Sequence, residues 1–358
     1  LDILFFRFES LIIYQSKNQK VDMKKLSIVS LLVLFAATTF VATDKFVEKT
    51  EVEITEWKVP WENSRPRDPY VAPDGDIWFV GQRTHYVAEF DLDTEQFRKI
   101  DLEDGAGPHT VVVDKNGNPW YTGNTANHLG MVNPETGEIT KYGMPDDMSA
   151  RDPHTIAINK DGDFWFTSQG ANSIGFFDMK TKESTIMPVS TPRSRPYGIV
   201  MDTDMITPWI VLFGTNKLAT VDPETKKVTE IELPNERTRP RRLAQTSDGV
   251  IWYGDYSRGY IGSYDPETKE FNEWKLPSGE RSRPYAVTVD DKDRFWLVET
   301  GVDPNMFVGF DTKTKKVVSS TPIESGGGTV RHMVFDEETN SIWFGTDTNY
   351  LGQAKLDQ

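Results

Sequence analysis

Apolar and polar residues alternate with a period of two along most of the chain, in short runs set apart by turn residues. The stretch 151–175 shows the unit. An alternating run covers 155–159, Asp161-Gly162 makes a tight turn, and an aromatic-rich run covers Phe164–Ser168. A polar loop and a third run over 173–177 follow, and 183–189 reads as a fourth, outer strand. Variants of this unit recur, marked by Trp78, Trp120, Trp165, Trp209, Trp252, Trp296 and Trp343 at separations of 42, 45, 44, 43, 44 and 47 residues. A strand-rich repeat of about 40–45 residues is the signature of a propeller blade. The expected fold is therefore all-β, a seven-bladed β-propeller, with each tryptophan in the core.

Turn chemistry supports hairpins over helices. The first turn recurs as Asp74-Gly75, Asn116-Gly117 and Asp248-Gly249, and a second turn recurs over 133–137, 222–226 and 265–269. No amphipathic helical pattern stands out after residue 50. The last unit stops after its third strand, whereas 51–59 precede the first unit and resemble the outer strands at 228–234 and 271–277. We expect 51–59 to complete the seventh blade and close the ring, which removes exposed strand edges.

Ahead of the ring, 23–42 joins a basic start to an apolar run and small residues, the pattern of a secretory signal peptide. Its apolar part is shorter than the about 20 residues of a membrane span. Residues 1–22 read as an upstream extension, 43–50 as a linker and 51–358 as one propeller. A secreted or periplasmic monomer is expected, with no membrane partner after cleavage. A formal charge of -15 speaks against nucleic acid, and the absence of cysteine excludes disulfides and thiolate metal sites.

Eleven residues before each tryptophan, at the start of the innermost strand, stand Arg67, His109, His154, Arg241, Tyr285 and His332; Tyr197 takes the place in blade four at an offset of twelve. Innermost strands line the channel of a propeller, so these side chains should ring one mouth. Simple hairpin pairing would set His332 opposite Asp347 and His154 opposite Gln169, with Asp152 on the same side as His154. Asp255 and Glu299 end second strands at this mouth. A histidine beside a carboxylate can serve as a general base, or the same groups can hold a divalent cation. Arg65, Arg67, Arg195, Arg239, Arg241, Arg242, Arg283 and Arg331 crowd the same end of an otherwise acidic chain. They point to a small-molecule or peptide-like ligand that is anionic or rich in carbonyl groups.

The recurring Arg/Gly-Pro-His/Tyr-x-Ile/Val, Asp-Gly-x-Ile-Trp-Phe-Thr and Asn-x-Ile-Gly patterns, over about 51–358, resemble the virginiamycin B lyase (streptogramin lyase) family of seven-bladed propellers. The resemblance implies a lyase that opens a cyclic depsipeptide by elimination at its ester bond, with a histidine base and Mg²⁺. Matched in order, His332 falls on the family's blade-seven histidine and Asp347 on its last acid. Tyr285 stands where the family has its other histidine, and Val330 where it has a metal-binding glutamate. Rotated around the ring, Pro108-His109 and Asp152-Pro153-His154 repeat the pattern. The expected roles are thus His332, His154 or His109 as base, Asp347 or Asp152 toward a cation, and Arg67, Tyr197, Arg241, Tyr285 and Arg331 toward substrate. A non-catalytic ligand-binding propeller is the alternative, with a lactonase-type hydrolase less favoured.

Overall fold

The computed structural model describes residues 50–145 and 152–357. The extension, signal peptide and linker assigned to 1–22, 23–42 and 43–50 lie outside the described residues, Thr50 excepted. The described residues form seven four-stranded antiparallel sheets; six run outward in chain order as strands A to D, and the seventh takes its outer strand from Glu53–Lys58. Blade 1 is typical: Pro66–Val71, Ile77–Gly81, Tyr86–Asp91 and Gln96–Asp101. Helical structure among the described residues is one 3₁₀ turn, Gly279–Arg281.

Burial follows position in the blade. The second strands are buried at every residue in blades 1 to 5 and 7, whereas the outer strands alternate between exposed and half-buried, as in the Gln96–Asp101 strand. All seven repeat tryptophans are buried, at 0–8% exposure. They pack between blades: Trp120 of blade 2 clusters with Phe164, Phe166 and Phe177 of blade 3. The Asn-x-Ile-Gly pattern has a steric and a polar cause. A Cβ at Gly175 would lie 2.0 Å from the Phe166 ring, so only glycine fits beneath that aromatic residue. Asn172 binds both sides of the following connection, donating from Nδ2 to the carbonyls of Val189 and Thr191 and accepting at Oδ1 from Ser194 and Arg195.

The ring closes as expected. Glu53–Lys58 pairs antiparallel with Tyr350–Lys355, with Trp57 opposite Leu351. Trp57 stacks on Trp343 at 5.6 Å, and both join a core shared with Ile77, Phe79 and Phe90 of blade 1. Asn349 repeats the asparagine clamp across the closure, donating to the carbonyls of Val59 and Trp61 and accepting from Ser64. The N-terminal strand therefore supplies both a sheet edge and an aromatic lid for the blade 7–blade 1 core. Deleting 51–59 should lower the melting temperature by about 10 °C or more, read by calorimetry; an unaltered transition would mean that the ring does not depend on this strand.

Candidate functional site: a charged plug in the axial channel

One irregularity, repeated around the ring, decides what faces the axis. In blades 2 to 6 the pairing of strands A and B shifts by one residue just after the leading proline, and in blade 1 one place later, between Arg67 and Tyr70. In blade 3, Pro153 pairs with Ser168 but Ile156 with Phe166, so His154 and Thr155 share one opposing residue, Thr167. The Thr155 amide donates to the Thr167 hydroxyl, and in blade 2 the Thr110 amide likewise donates to Thr122. In blades 1, 2, 3 and 5 the bulge lets two successive residues reach the axial cluster in place of one. Arg67 with Asp68, His109 with Thr110, His154 with Thr155, and Arg241 with Arg242 are such pairs.

At the centre lies Asp68, fully buried. Its Oδ1 accepts from Arg67 Nε at 2.9 Å, and its Oδ2 accepts from Arg242 of blade 5 at 2.9 Å and from the Thr110 hydroxyl at 2.8 Å. His109 Nδ1 lies 3.8 Å from the same oxygen. Arg242 also donates to Thr155 at 3.3 Å, and Thr155 contacts His154 Nδ1 at 2.9 Å. The rings of His109 and His154 meet at 3.4 Å between centroids, and His154 abuts Tyr197 at 4.2 Å. The Tyr197 and Tyr285 hydroxyls are hydrogen-bonded to each other. Above them Arg241 lies 3.6 Å from the Tyr285 ring centroid and within 5.2 Å of those of Phe213, Tyr256 and Tyr197.

The field inside this cluster is positive. Burial alone would push the Asp68 carboxyl up, but Arg67 and Arg242 outweigh it and hold the group far below the usual carboxylate range. Burial, then Arg67 and Arg242, keep His109 well below the ordinary imidazole value. Burial, then His109 and Arg67, do the same to His154. Burial and Arg242 bring His332 down to about 3, against a weaker upward pull from Asp68. Tyr285 moves toward the charged form: burial pushes its phenol up, yet Arg241, Arg67, Arg242 and Arg331 bring it down to about 8. Burial and Tyr285 push Tyr197 up instead.

The axial ring expected from sequence is thus assembled, since Arg67, His109, His154, Tyr197, Arg241 and Tyr285 form one connected cluster and His332 adjoins it. The carboxylate partners differ. Blade 7 pairs Met333 with Phe344, so His332 is not opposite Asp347. Asp347 binds Arg331 through both oxygens, at 3.2 and 2.5 Å, with Arg65 at 3.5 Å. Nor does the bulge leave His154 opposite Gln169; Asp152 instead accepts from the amides of Gly170 and Ala171. Asp255 and Glu299 hold loops in the same way, accepting from the amides of Arg239 and Ser278. Among the described residues no three His, Asp or Glu groups converge as a metal ion requires. With Asp347 engaged by two guanidinium groups and Val330 buried where the resemblance places a glutamate, these residues do not fit Mg²⁺ as they stand.

Asp68 was missed in the sequence, and Arg242 was noted there only as one of many mouth arginines. Strict alternation turns the residue after Arg67 or Arg241 away from the axis. The signal available was chemical: that register holds Thr110, Thr155, Gly198, Ala286 and Met333 elsewhere, and only Asp68 and Arg242 are charged.

Fold and site together define a closed seven-bladed propeller with a polar, arginine-rich constellation at one end of its channel. The profile of the Virginiamycin B lyase family matches residues 39–304, and the chain belongs to that family. Among solved structures it is similar to virginiamycin B lyase from Staphylococcus aureus, at 22% identity and a TM-score of 0.77, over 86% of this chain and all of that one. A streptogramin B lyase is similar at 21% identity and a TM-score of 0.76, over 85% and 98% of the two chains. A catalytically inactive variant of the S. aureus enzyme, with quinupristin, matches at 22% identity and a TM-score of 0.77, again over 86% and 100%. At these identities the structural likeness speaks for the fold. No curated protein sequence matches.

Two outcomes follow from the electrostatics. Asp68→Asn leaves two buried guanidinium groups with no carboxylate between them and should cost about 3–5 kcal/mol, seen as a lower midpoint in chemical denaturation; a midpoint within error of the parent would show that Asp68 does not hold the cluster. His332 binds a proton in the unfolded chain below pH about 6.5 but in the fold only near 3. Stability should therefore fall as pH drops through that window, and His332→Gln should flatten the slope in a melting-temperature series; an equal slope in both proteins would contradict the assignment.

Proposed function

We propose that this chain is an exported lyase that binds a small anionic or carbonyl-rich ester, lactone or peptide-like substrate at the arginine-lined mouth and cleaves a carbon–oxygen bond by elimination. The observation that carries the reading is the convergence of Arg241 and Arg331 on the Tyr285 phenol, with Arg241 at 3.6 Å and Arg331 at 5.7 Å from its ring centroid. Family membership supports the reaction class, and the 23–42 segment supports export.

In this reading Tyr285, and not a histidine, is the base. Its phenol at about 8 has a populated conjugate base near neutral pH, whereas His332 at about 3 is a weak proton acceptor. The phenolate takes the proton α to a carbonyl. Guanidinium groups of Arg241 and Arg331 stabilise the enolate-like charge, the carbon–oxygen bond breaks, and the carboxylate leaves as the double bond forms. Tyr285 is only 1% exposed and lies under Arg241, so substrate must first draw that guanidinium to its own oxygens. Mg²⁺ would have to be held by Asp347 or Asp152, both of which have other partners, and no step here runs through it.

Mass spectrometry of a library of cyclic esters incubated with the protein tests the reaction: elimination opens a ring with no mass change, whereas gain of one water would mean hydrolysis and defeat the proposal. Tyr285→Phe should lower turnover by about 10²- to 10⁴-fold. The parent rate should rise with pH toward a plateau above about 8, because only the phenolate accepts the proton. A profile that falls over that range, or full activity in Tyr285→Phe, would remove Tyr285 from the role.

A further inference from the structure

On the far side of the plug, toward the A–B turns, the channel opens into two lobes of about 190 and 220 Å³ that share Ile199, Val200, His332 and Val334. Their walls are mostly Val, Ile, Leu and Met, while their inner end is polar, with Arg242 in one lobe, Thr110 in the other and His332 in both. At the outer end the second lobe reaches Met205, in the A–B turn of blade 4 and 43% exposed, the one exposed large apolar side chain among the described residues. The cavity thus runs from an apolar rim to a charged floor.

That floor carries an imbalance. Arg67 and Arg242 are each 3% exposed, and the single carboxylate between them is Asp68. Because the three neighbouring histidines are held neutral, two guanidinium charges face one carboxylate, leaving a surplus of one buried positive charge that low-dielectric surroundings disfavour. Arg242 Nε and His332 Nδ1 are buried and have no hydrogen-bond partner. Both residues line the lobes. A group supplying one negative charge and two acceptor oxygens would complement them, and apolar walls would favour a hydrocarbon chain behind it.

We infer that the lower half of the axial channel is a binding site for a small amphiphilic monocarboxylate of the fatty-acid type, entering from the A–B face with its carboxylate toward Arg242 and His332 and its chain among the apolar walls. The lobes are each smaller than the about 300–1,000 Å³ of drug-sized pockets, so the chain is short to medium in length. Such a ligand would bind whether or not the upper mouth catalyses an elimination.

Calorimetric titration of the full chain with hexanoate, octanoate, decanoate and octylammonium tests this. Octanoate should bind, affinity should rise about two- to fourfold per added methylene, and octylammonium should not bind. Val200→Trp and Val334→Trp, which fill the lobes without touching the charges, should each weaken octanoate at least about tenfold, while Arg241→Ala at the upper mouth should leave its affinity within about twofold. Methyl NMR gives a second readout that needs no variant: octanoate should shift the Met201 and Met205 methyl signals and leave that of Met187, on the outer strand of blade 3, in place. Absence of octanoate binding, equal binding of octylammonium, shifts that spare Met201 and Met205, or loss of binding in Arg241→Ala but not in the tryptophan variants would each overturn the inference.

Discussion

Two guanidinium groups and one carboxylate, sealed together on the axis of the ring, set the character of this molecule. Asp68 joins blade 1 to blade 5 through Arg242 and to blade 2 through Thr110, so one carboxylate ties three sheets together at the axis. Its charge is insufficient for its neighbours. Burial, with that surplus, keeps three imidazoles neutral, and the arginines draw a phenol toward its anion against burial. In a balanced cluster burial alone would still hold the imidazoles neutral, but it would push the Tyr285 phenol up and not down.

The geometry that permits this is a backbone defect used repeatedly. A regular strand A would send alternate residues to the axis, one layer of side chains per turn of the ring. The bulge after the leading proline sends two in succession, which supplies a second layer and places Asp68 beneath Arg67 at a φ of 48°, a conformation aspartate tolerates better than most residues. Ring closure by Glu53–Lys58 then fixes the blades that carry these layers. Loop carboxylates such as Asp152, Asp255 and Glu299 accept hydrogen bonds from backbone amides of neighbouring loops.

Much of this was legible in the residues themselves. Tryptophan spacing gave the number of blades, the turn dipeptides gave the hairpins, and the odd strand 51–59 gave the closure, because each depends on local sequence with little tertiary interference. The register of Arg67, His109, His154, Tyr197, Arg241, Tyr285 and His332 was legible for the same reason. Pairing across strands was not: a one-residue bulge moves His154 away from Gln169, and in blade 7 the longer A–B turn pairs Met333 with Phe344, so the expected His332–Asp347 contact gives way to an Arg331–Asp347 ion pair. Proton affinities were out of reach as well: they depend on burial and on four arginines drawn from blades 1, 5 and 7, whose convergence no spacing rule reveals.

Relative to the family's pattern, the departures at Tyr285 and Val330 change the chemistry available at the mouth. Where the family has a histidine and a metal-binding acid this chain has a phenol and a buried apolar residue, and in the proposed reaction charge stabilisation passes to arginine. Everything in that account turns on the strength of the positive field at Tyr285. Spectrophotometric titration of the phenols measures it: among the 12 tyrosines, one should ionise near pH 8, about two units below an ordinary phenol, and that step should vanish in Tyr285→Phe and move upward in Arg241→Gln. If every tyrosine of the folded protein ionises at pH 10 or above, the axial field is not what holds this site together.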